Sequence, residues 1–216
     1  MGARRRIGAV TAAVAACALL AAACGRSASN AGSSTSGNVS PTQGLVAATP
    51  AGTKTVPAMT WAVYRDVNSL DPIYAFDYPE NTADSLMCEP LLRQAPDGSL
   101  EPGLATLASP NPTTMVFTLR PGVKFWDGNP VTPADVVYSL DRSTNPGLGG
   151  SYGAVFDRVA SITPTGPAQV TIKLMQSDYW LVGELASMPG IVIEKSFAEQ
   201  QGKNYGTPAG SIMCTG

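Results

Sequence analysis

Histidine is absent from the 216 residues of this chain. Without an imidazole, the sequence contains no Ser-His-Asp or Cys-His catalytic set and no zinc site that depends on a histidine ligand. Clusters of Lys and Arg are absent after residue 58. Because phosphate binding depends on such clusters, nucleic acid is not expected as a partner of this part of the chain. The glycine-rich stretch at 147–153 contains no lysine, so it does not predict a nucleotide-binding loop.

Acidic residues are missing from the first 58 positions, and all 16 of them follow residue 58. The charged residues of that first segment are all basic: Arg4, Arg5, Arg6, Arg26 and Lys54. The remaining residues carry 9 basic side chains against the 16 acids, a net charge of −7. The overall hydrophobic content of 44% is ordinary for a globular protein, and the length allows one or two domains.

The N-terminal segment has the pattern of an export signal, with a basic start followed by an apolar stretch at 7–23. This stretch is shorter than the roughly 20 apolar residues that a membrane-spanning helix needs. Small residues before a cysteine predict lipoprotein processing, and two cysteines compete for that role. The residues before Cys17 fit the pattern of lipoprotein processing better, but cleavage there would leave an apolar segment at 18–23 on the mature protein. We therefore predict a lipoprotein signal peptide at 1–23 and lipidation of Cys24.

Residues 24–58 are dominated by Ser, Ala, Gly, Thr and Pro and contain no acidic or aromatic residue. Such a composition cannot bury enough apolar surface to offset a backbone entropy of about 1–2 kcal/mol per residue. The segment is therefore predicted to be a disordered tether. A flexible coil of about 30 residues spans on the order of 30 Å, which is enough to hold a domain away from a membrane surface.

The densest structural pattern lies at 115–146. Apolar and polar side chains alternate over 115–120, which predicts a strand with one buried face. The Pro-Gly pair that follows predicts a type II turn, and 123–126 is predicted to be the return strand of a hairpin. The Thr-Pro-Ala-Asp run at 132–135 then supplies an N-cap, a proline at N1 and an acid at N3, so a helix is expected to begin there.

Alternation and end signals predict further elements along the body of the chain. The predicted strands are at 59–67, 156–162, 169–174 and 191–193, and the predicted helices are at 81–92, 179–186 and 196–201. The helix at 81–92 is expected to bury Leu86, Met87, Leu91 and Leu92.

The run Leu-Arg-Pro-Gly-Val-Lys-Phe-Trp-Asp-Gly at 119–128 and the residues that follow it resemble the signature of bacterial extracellular solute-binding proteins of family 5. The following residues that match are Thr132, Ala134, Asp135, Val136, Tyr138, Ser139 and Arg142. Further similar elements are Leu-Asp-Pro at 70–72, Glu-Pro-Leu-Leu at 89–92 and the closing loop at 206–216, which has Cys214 where glycine is usual. The resemblance implies an α/β fold of the periplasmic-binding-protein-like type II, a mixed sheet with flanking helices. Residues 59–216 would form the N-terminal part of a solute-binding domain, an incomplete first lobe, as expected of a fragment or a truncated gene.

The resemblance also implies a function, that of a binding protein without enzymatic activity, cofactor or metal. Such a protein is lipid-anchored on the extracytoplasmic face of the cell membrane, binds a peptide or another small solute, and delivers it to an ABC permease. Two alternatives stay open. One is a surface interaction lipoprotein that reuses the fold. The other is a secreted hydrolase with paired carboxylates, although no spacing among the 16 acids singles out a pair.

Candidate ligand contacts come from an aromatic loop and from the end of the chain. Tyr74, Phe76 and Tyr78 follow the predicted first strand, and open α/β sheets bind ligands beyond their strand ends. Met213 and Thr215 lie in the closing loop and are the second set of candidates. For the aromatic residues, packing in the core is the alternative interpretation.

Cys88 and Cys214 are the only cysteines left in the chain after processing at Cys24. Outside the cytoplasm, two such thiols are commonly paired, so a disulfide is a candidate. The alternative is two independent buried thiols, because a sequence does not show whether the two Cα atoms approach within about 7 Å.

Overall fold

The computed structural model of the protein describes residues 52–215. The predicted signal peptide at 1–23, the candidate lipidation sites Cys17 and Cys24, and the tether up to residue 51 lie outside the described residues. The end of the tether, at 52–58, is exposed and contains no helix or strand. Within residues 52–215, every helix is too short or too polar to span a bilayer.

A four-stranded antiparallel sheet forms the centre of the described part. Its strands are β3 (Ala105–Asn111), β4 (Thr114–Leu119), β5 (Val159–Gly166) and β6 (Gln169–Leu174), in the spatial order β3-β4-β6-β5. A separate hairpin joins β1 (Leu92–Gln94) to β2 (Leu100–Pro102). All pairings among these strands are antiparallel, so the parallel component of a mixed sheet does not occur within residues 52–215.

Within residues 52–215, four helices accompany the sheets: α1 (Tyr78–Met87), α2 (Pro133–Thr144), α3 (Trp180–Glu184) and α4 (Lys195–Gln201). Single 3-10 turns lie at Pro72–Tyr74, Pro146–Leu148, Gly153–Phe156, Met188–Gly190 and Gly202–Asn204. The main core contains the buried face of β4 and the apolar side of α2. In this core, Phe117 of β4 meets Val170 of β6 in register, and Val136 and Leu140 of α2 are fully buried.

Helix α2 begins as the sequence predicts. The Thr132 hydroxyl accepts a hydrogen bond from the Asp135 amide at 3.4 Å, and an Asp135 carboxylate oxygen accepts one from the Thr132 amide at 2.9 Å. This reciprocal pair is a capping box, and it satisfies two amides that the helix itself leaves without partners. The other Asp135 oxygen accepts from the Lys195 amide at 2.9 Å, so the same side chain also fixes the start of α4.

The strand predicted at 115–120 is confirmed as β4, but the hairpin predicted to follow it is wrong. Gly122 has a φ of 77°, as the Pro-Gly turn requires, and this turn ends β4. Beyond it, residues 123–126 make only an isolated bridge between Lys124 and Pro130. The physical reason is that β3 and β6 already occupy both edges of β4, so no edge remains for a return strand.

The strand predicted at 59–67 is also wrong, because no strand forms there. Its alternation requires one buried face, yet Trp61 and Tyr64 are both exposed and no described strand pairs with this segment. The segment is instead held by polar contacts. The Tyr64 hydroxyl donates to the Asp77 carboxylate, and Arg65 forms a two-bond ion pair with Glu80.

The helix predicted at 81–92 is displaced toward the N-terminus. Asp77 accepts from the Tyr78 amide at 2.7 Å and starts the helix there, and α1 ends at Met87. Its predicted buried face is therefore wrong in part. Leu86 is exposed, whereas Leu91 and Leu92 are buried but lie beyond the helix.

All but one of the remaining predicted elements are confirmed within a few residues. Helices α3 and α4 fall inside or beside the predicted ranges, and β6 matches its prediction. Strand β5 begins three residues late, because 153–156 forms a 3-10 turn. The strand predicted at 191–193 is wrong, since only a single bridge forms there, between Pro90 and Ile191.

Candidate ligand cleft

A cleft of about 490 Å³ lies between α2, α4 and the 3-10 turn Pro72–Tyr74. Its volume is in the range of small-molecule sites, roughly 300–1,000 Å³. The lining includes three tyrosines and charged residues of both signs: Asp71, Tyr74, Tyr138, Arg142, Lys203 and Tyr205. The cleft is thus built from segments that lie far apart in the sequence.

The floor of the cleft contains a buried ion pair between Arg142 and Asp71. Two parallel hydrogen bonds join them, Nη1–Oδ1 at 2.9 Å and Nη2–Oδ2 at 2.6 Å. The Arg142 guanidinium also lies between two rings, 5.9 Å from the centroid of Tyr138 and 5.4 Å from that of Tyr205. Asp71 further accepts from the Ile73 amide, which starts the 3-10 turn. The Arg142 guanidinium is therefore occupied by contacts within the protein. It shapes the cleft and is not a free cation for a ligand.

The hydroxyls of Tyr138 and Tyr205 in the cleft remain protonated at neutral pH. Burial raises the pKa of Tyr205, whose hydroxyl donates to the Met213 carbonyl oxygen and accepts from the Met213 amide, each at 3.3 Å. Burial also raises the pKa of Tyr138. The Tyr74 hydroxyl donates to the Leu148 carbonyl oxygen at 2.7 Å and so closes one side of the cleft. These contacts give the cleft walls a fixed shape.

Exposed charges of both signs, Glu199 and Lys203, line the cleft beside the aromatic walls. This arrangement suits a solute that has apolar surface and at least one charged or amide group. Among residues 52–215, no set of three Cys, Asp or Glu side chains is placed to hold a metal ion. The aromatic walls and the exposed charges together have the geometry of a binding surface.

The structure brings only some of the predicted ligand contacts to the cleft. Tyr74 lines it directly, and Met213 is tied to its wall through Tyr205. Phe76 and Tyr78 are 75% and 78% exposed and do not line it. Thr215 is partly buried, next to Cys214.

The two predicted groups of contacts also lie at opposite ends of α1. Tyr78 begins this helix, whereas Met213 and Thr215 flank Cys214, which is bonded to Cys88 just beyond the last helical residue. Ten helical residues separate the two ends by about 15 Å.

The disulfide between Cys88 and Cys214 connects α1 to the loop at 206–215. The two Cα atoms are 5.0 Å apart, and both cysteines are buried. The Trp126 amide donates to the Cys214 carbonyl oxygen at 3.1 Å, so the segment after β4 is joined to the same point. The loop that carries Met213 is thus held on both sides.

Sequence reasoning missed the central role of Asp71, Arg142, Tyr138 and Tyr205. Asp71, Tyr138 and Arg142 were identified only as parts of motifs that resemble the family, and Tyr205 was not singled out. One signal was available: Tyr138 and Arg142 are four residues apart in the predicted helix, so they share a face. Nothing local indicates that Tyr205 packs against that face.

Solved structures of binding proteins have the same fold as this chain. The OppA protein of Burkholderia pseudomallei matches with a TM-score of 0.64 and 27% identity, over 71% of this chain and 33% of its own. The Escherichia coli murein tripeptide binding protein MppA matches with a TM-score of 0.64 and 26% identity, again over 71% of this chain and 33% of its own. The predicted fold class is confirmed: the chain forms part of the α/β fold of type II periplasmic binding proteins.

The family follows from the sequence comparison. The family model described as bacterial extracellular solute-binding proteins, family 5 Middle, matches residues 99–216. The chain therefore belongs to the bacterial extracellular solute-binding proteins of family 5, as the resemblance implied. This is a family of substrate-binding proteins rather than enzymes.

Curated relatives cover different shares of the chain. The periplasmic murein peptide-binding protein MppA of Escherichia coli K12 is 30% identical over 162 residues, which is 67% of this chain and 30% of the relative. The periplasmic oligopeptide-binding protein OppA of the same strain is 36% identical over 90 residues, 41% of this chain and 17% of the relative. The chain thus spans less than a third of the length of these two relatives.

Proposed function

We propose that this protein is the peptide-binding component of an ABC importer and delivers its ligand to a membrane permease. The observation that carries the proposal is the similarity to MppA over two thirds of this chain, because that relative is named for binding murein peptide. The cleft supports it, since tyrosine walls beside exposed charges suit an amide-bearing, charged solute.

We further propose that residues 59–216 form the N-terminal part of a two-lobed solute-binding domain. Such a domain gains affinity by enclosing the ligand, which removes ligand surface from water on both sides. One part of one lobe offers only a fraction of these contacts. We therefore expect the 216-residue chain to bind peptides no tighter than about millimolar, equivalent to about 4 kcal/mol.

Calorimetric titration with a peptide pool tests this proposal. The 216-residue chain is compared with a form extended to include the second lobe, for which we expect micromolar or tighter binding. In the extended form, Tyr74→Ala should weaken binding at least several-fold because Tyr74 lines the cleft. The matched control is Tyr179→Ala, which removes an exposed tyrosine that directly precedes α3 and lies outside the cleft. Micromolar binding by the short chain would show that the site is misplaced.

The proposal also includes a location on the extracytoplasmic face of the cell membrane, with a lipid on Cys24 and the tether at 24–58. The basic start, the apolar stretch and the polar segment after Cys24 support it. Cys24→Ser should release the protein from the membrane fraction, and Cys17→Ser should not. The opposite result would move the processing site to Cys17. Durable retention requires more than one acyl chain, because a single chain anchors only marginally.

The protein is proposed to bind its ligand without chemical change. Incubation with peptide and sugar libraries should therefore leave the libraries intact by mass spectrometry. Cleavage products would instead favour a hydrolase with paired carboxylates. Unimpaired peptide uptake in a strain that lacks the gene would favour a surface interaction role.

A further inference from the structure

Helix α1 buries an acidic side chain that has no visible partner. Asp84 is fully buried in the middle of the helix, and neither carboxylate oxygen has a hydrogen-bond partner among the described residues. The Oδ1 atom of Asn81, one helical turn earlier on the same face, is also buried and without a donor. This face of α1 therefore buries three acceptor oxygens for which the described residues provide no donor.

The nearest carboxylates are already paired with arginines. Asp71 accepts two hydrogen bonds from Arg142, and Glu80 accepts two from Arg65, with Nη1–Oε1 at 2.7 Å and Nη2–Oε2 at 2.8 Å. Asp77 shares Arg65, with Nη2–Oδ2 at 3.2 Å. These three carboxylates already outnumber the two arginines. A charge on Asp84 would add a further anion in a region shielded from water.

Other elements packed around this face of α1 contribute two tyrosines and an acid. Tyr152 precedes the 3-10 turn Gly153–Phe156, and its hydroxyl donates to the Ala75 carbonyl oxygen. Tyr205 follows the last 3-10 turn, and its hydroxyl is engaged with Met213. Glu184, at the end of α3, lines a cavity together with Asn81 and Tyr152. Tyrosine and glutamate side chains carry either no charge or a negative one, so none of the three can compensate a charge on Asp84.

We propose that Asp84 is a proton-dependent switch in the packing of α1: the helix docks in the lobe with a neutral Asp84 carboxyl group, and loss of that proton loosens it. The protonated group is neutral and adds no further negative charge beside Asp71 and Glu80. Asp71, which lines the cleft floor, and Cys88, whose amide donates to the Asp84 carbonyl oxygen at 2.8 Å, connect the switch to the cleft and to the disulfide.

The direction of the pH dependence follows from the proton linkage. Burial, and then the charges of Asp71 and Glu80, raise the pKa of Asp84 from its ordinary value near 4 to about 8. A folded state with a raised acid pKa binds the proton more tightly than the unfolded state does. This contribution to stability is complete below the ordinary pKa and is lost as the pH rises toward about 8. Within this window, each pH unit raises the unfolding equilibrium constant by up to about tenfold.

Urea unfolding of the 216-residue chain at about pH 5, 7 and 9 tests the proposal. Asp84→Asn is the decisive variant, because its amide imitates the neutral acid in shape and keeps a donor. Asp157→Asn is the matched control, since Asp157 is exposed. From pH 5 to 9, we expect the unfolding constant of the wild type to rise at least tenfold more than that of Asp84→Asn, whereas the control follows the wild type. Parallel pH profiles for the wild type and Asp84→Asn would overturn the proposal.

If Asp84→Asn does not fold, a second measurement on the wild type still tests the proposal. Infrared difference spectra of the folded wild type between about pH 6 and 10 should show the loss of one buried carboxylic acid carbonyl band, with a midpoint near the raised pKa of Asp84. No such band in this range would mean that Asp84 is already ionised, and the proposal would fail. Neither measurement depends on peptide binding, so each is independent of the proposed transport role.

Discussion

The buried ion pair beneath the cleft allows a quantitative test of how this lobe is held together. In Arg142→Met, most of the aliphatic volume stays, but the Asp71 carboxylate loses both guanidinium bonds. The Asp71 side chain is only 2% exposed, so water cannot replace the lost partner. Breaking a buried pair on one side typically costs about 3–5 kcal/mol, and we expect a loss in that range.

A double-mutant cycle of Asp71 and Arg142 separates the effect of the charges from the effect of packing. Asp71→Asn alone leaves the Arg142 guanidinium without its anion, between the rings of Tyr138 and Tyr205. Combined with Arg142→Met, it removes both charges at once. We therefore expect the double variant to lose less stability than the sum of the two single losses, by at least about 1 kcal/mol.

Equilibrium urea denaturation followed by tryptophan fluorescence provides the measurement. The matched control is Arg120→Met, whose partner is Glu89 at 3.0 Å but whose own side chain is 49% exposed. Surface pairs of this kind contribute at most about 1 kcal/mol. Equal losses for Arg142→Met and Arg120→Met, or strict additivity in the cycle, would refute the reasoning from burial.

Three further substitutions test other parts of the fold. Gly206 has a φ of 72°, and a Cβ there would lie 2.3 Å from the Asp71 amide nitrogen. Gly206→Ala should therefore lower the free energy of unfolding by about 2 kcal/mol or more. An unchanged thermal midpoint would contradict this. Thr132→Ala should cost about 0.5–2 kcal/mol through loss of the cap on α2, with Thr132→Ser nearer to the wild type in the same assay. Cys88→Ser opens a loop of 126 positions and should cost about 4–5 kcal/mol in the chain-entropy model. Peptide mapping of the non-reduced wild type should show Cys88 linked to Cys214, and two freely alkylated thiols in denaturant would disprove the link.

Local signals made part of this fold predictable. The start of α2 depends on Thr132 and Asp135, which are three residues apart and complete each other's hydrogen bonds. The buried face of strand β4 could be predicted from the alternation of apolar and polar side chains over a short stretch. Where the determinants lie within a few residues of one another, the sequence pattern was sufficient.

Elements that depend on distant partners were not predictable. Residues 59–67 have a strand pattern, but no described strand pairs with them. Helix α1 buries Glu80 and Asp84 instead of Leu86, because Arg65 compensates one acid and, in our proposal, a proton neutralises the other. Neither compensation can be inferred from helical periodicity.

The cleft was predictable only at Tyr74. It combines this residue with Tyr138 and Arg142 on α2 and with Tyr205 near the end of the chain. Tyr74 and Tyr138 are more than 60 positions apart in the sequence, and so are Arg142 and Tyr205. Their meeting depends on how α2 and α4 pack, and no local pattern specifies that packing.

The disulfide has a practical consequence for how the protein responds to proteases. Every strand of the structure, together with α2, α3 and α4, lies between Cys88 and Cys214, inside a covalent ring. A single cut in an exposed connection, such as the turn at Asp97 and Gly98, opens the ring but leaves its two pieces bonded. A nicked chain would therefore migrate as one species on a non-reducing gel and separate into two only after reduction.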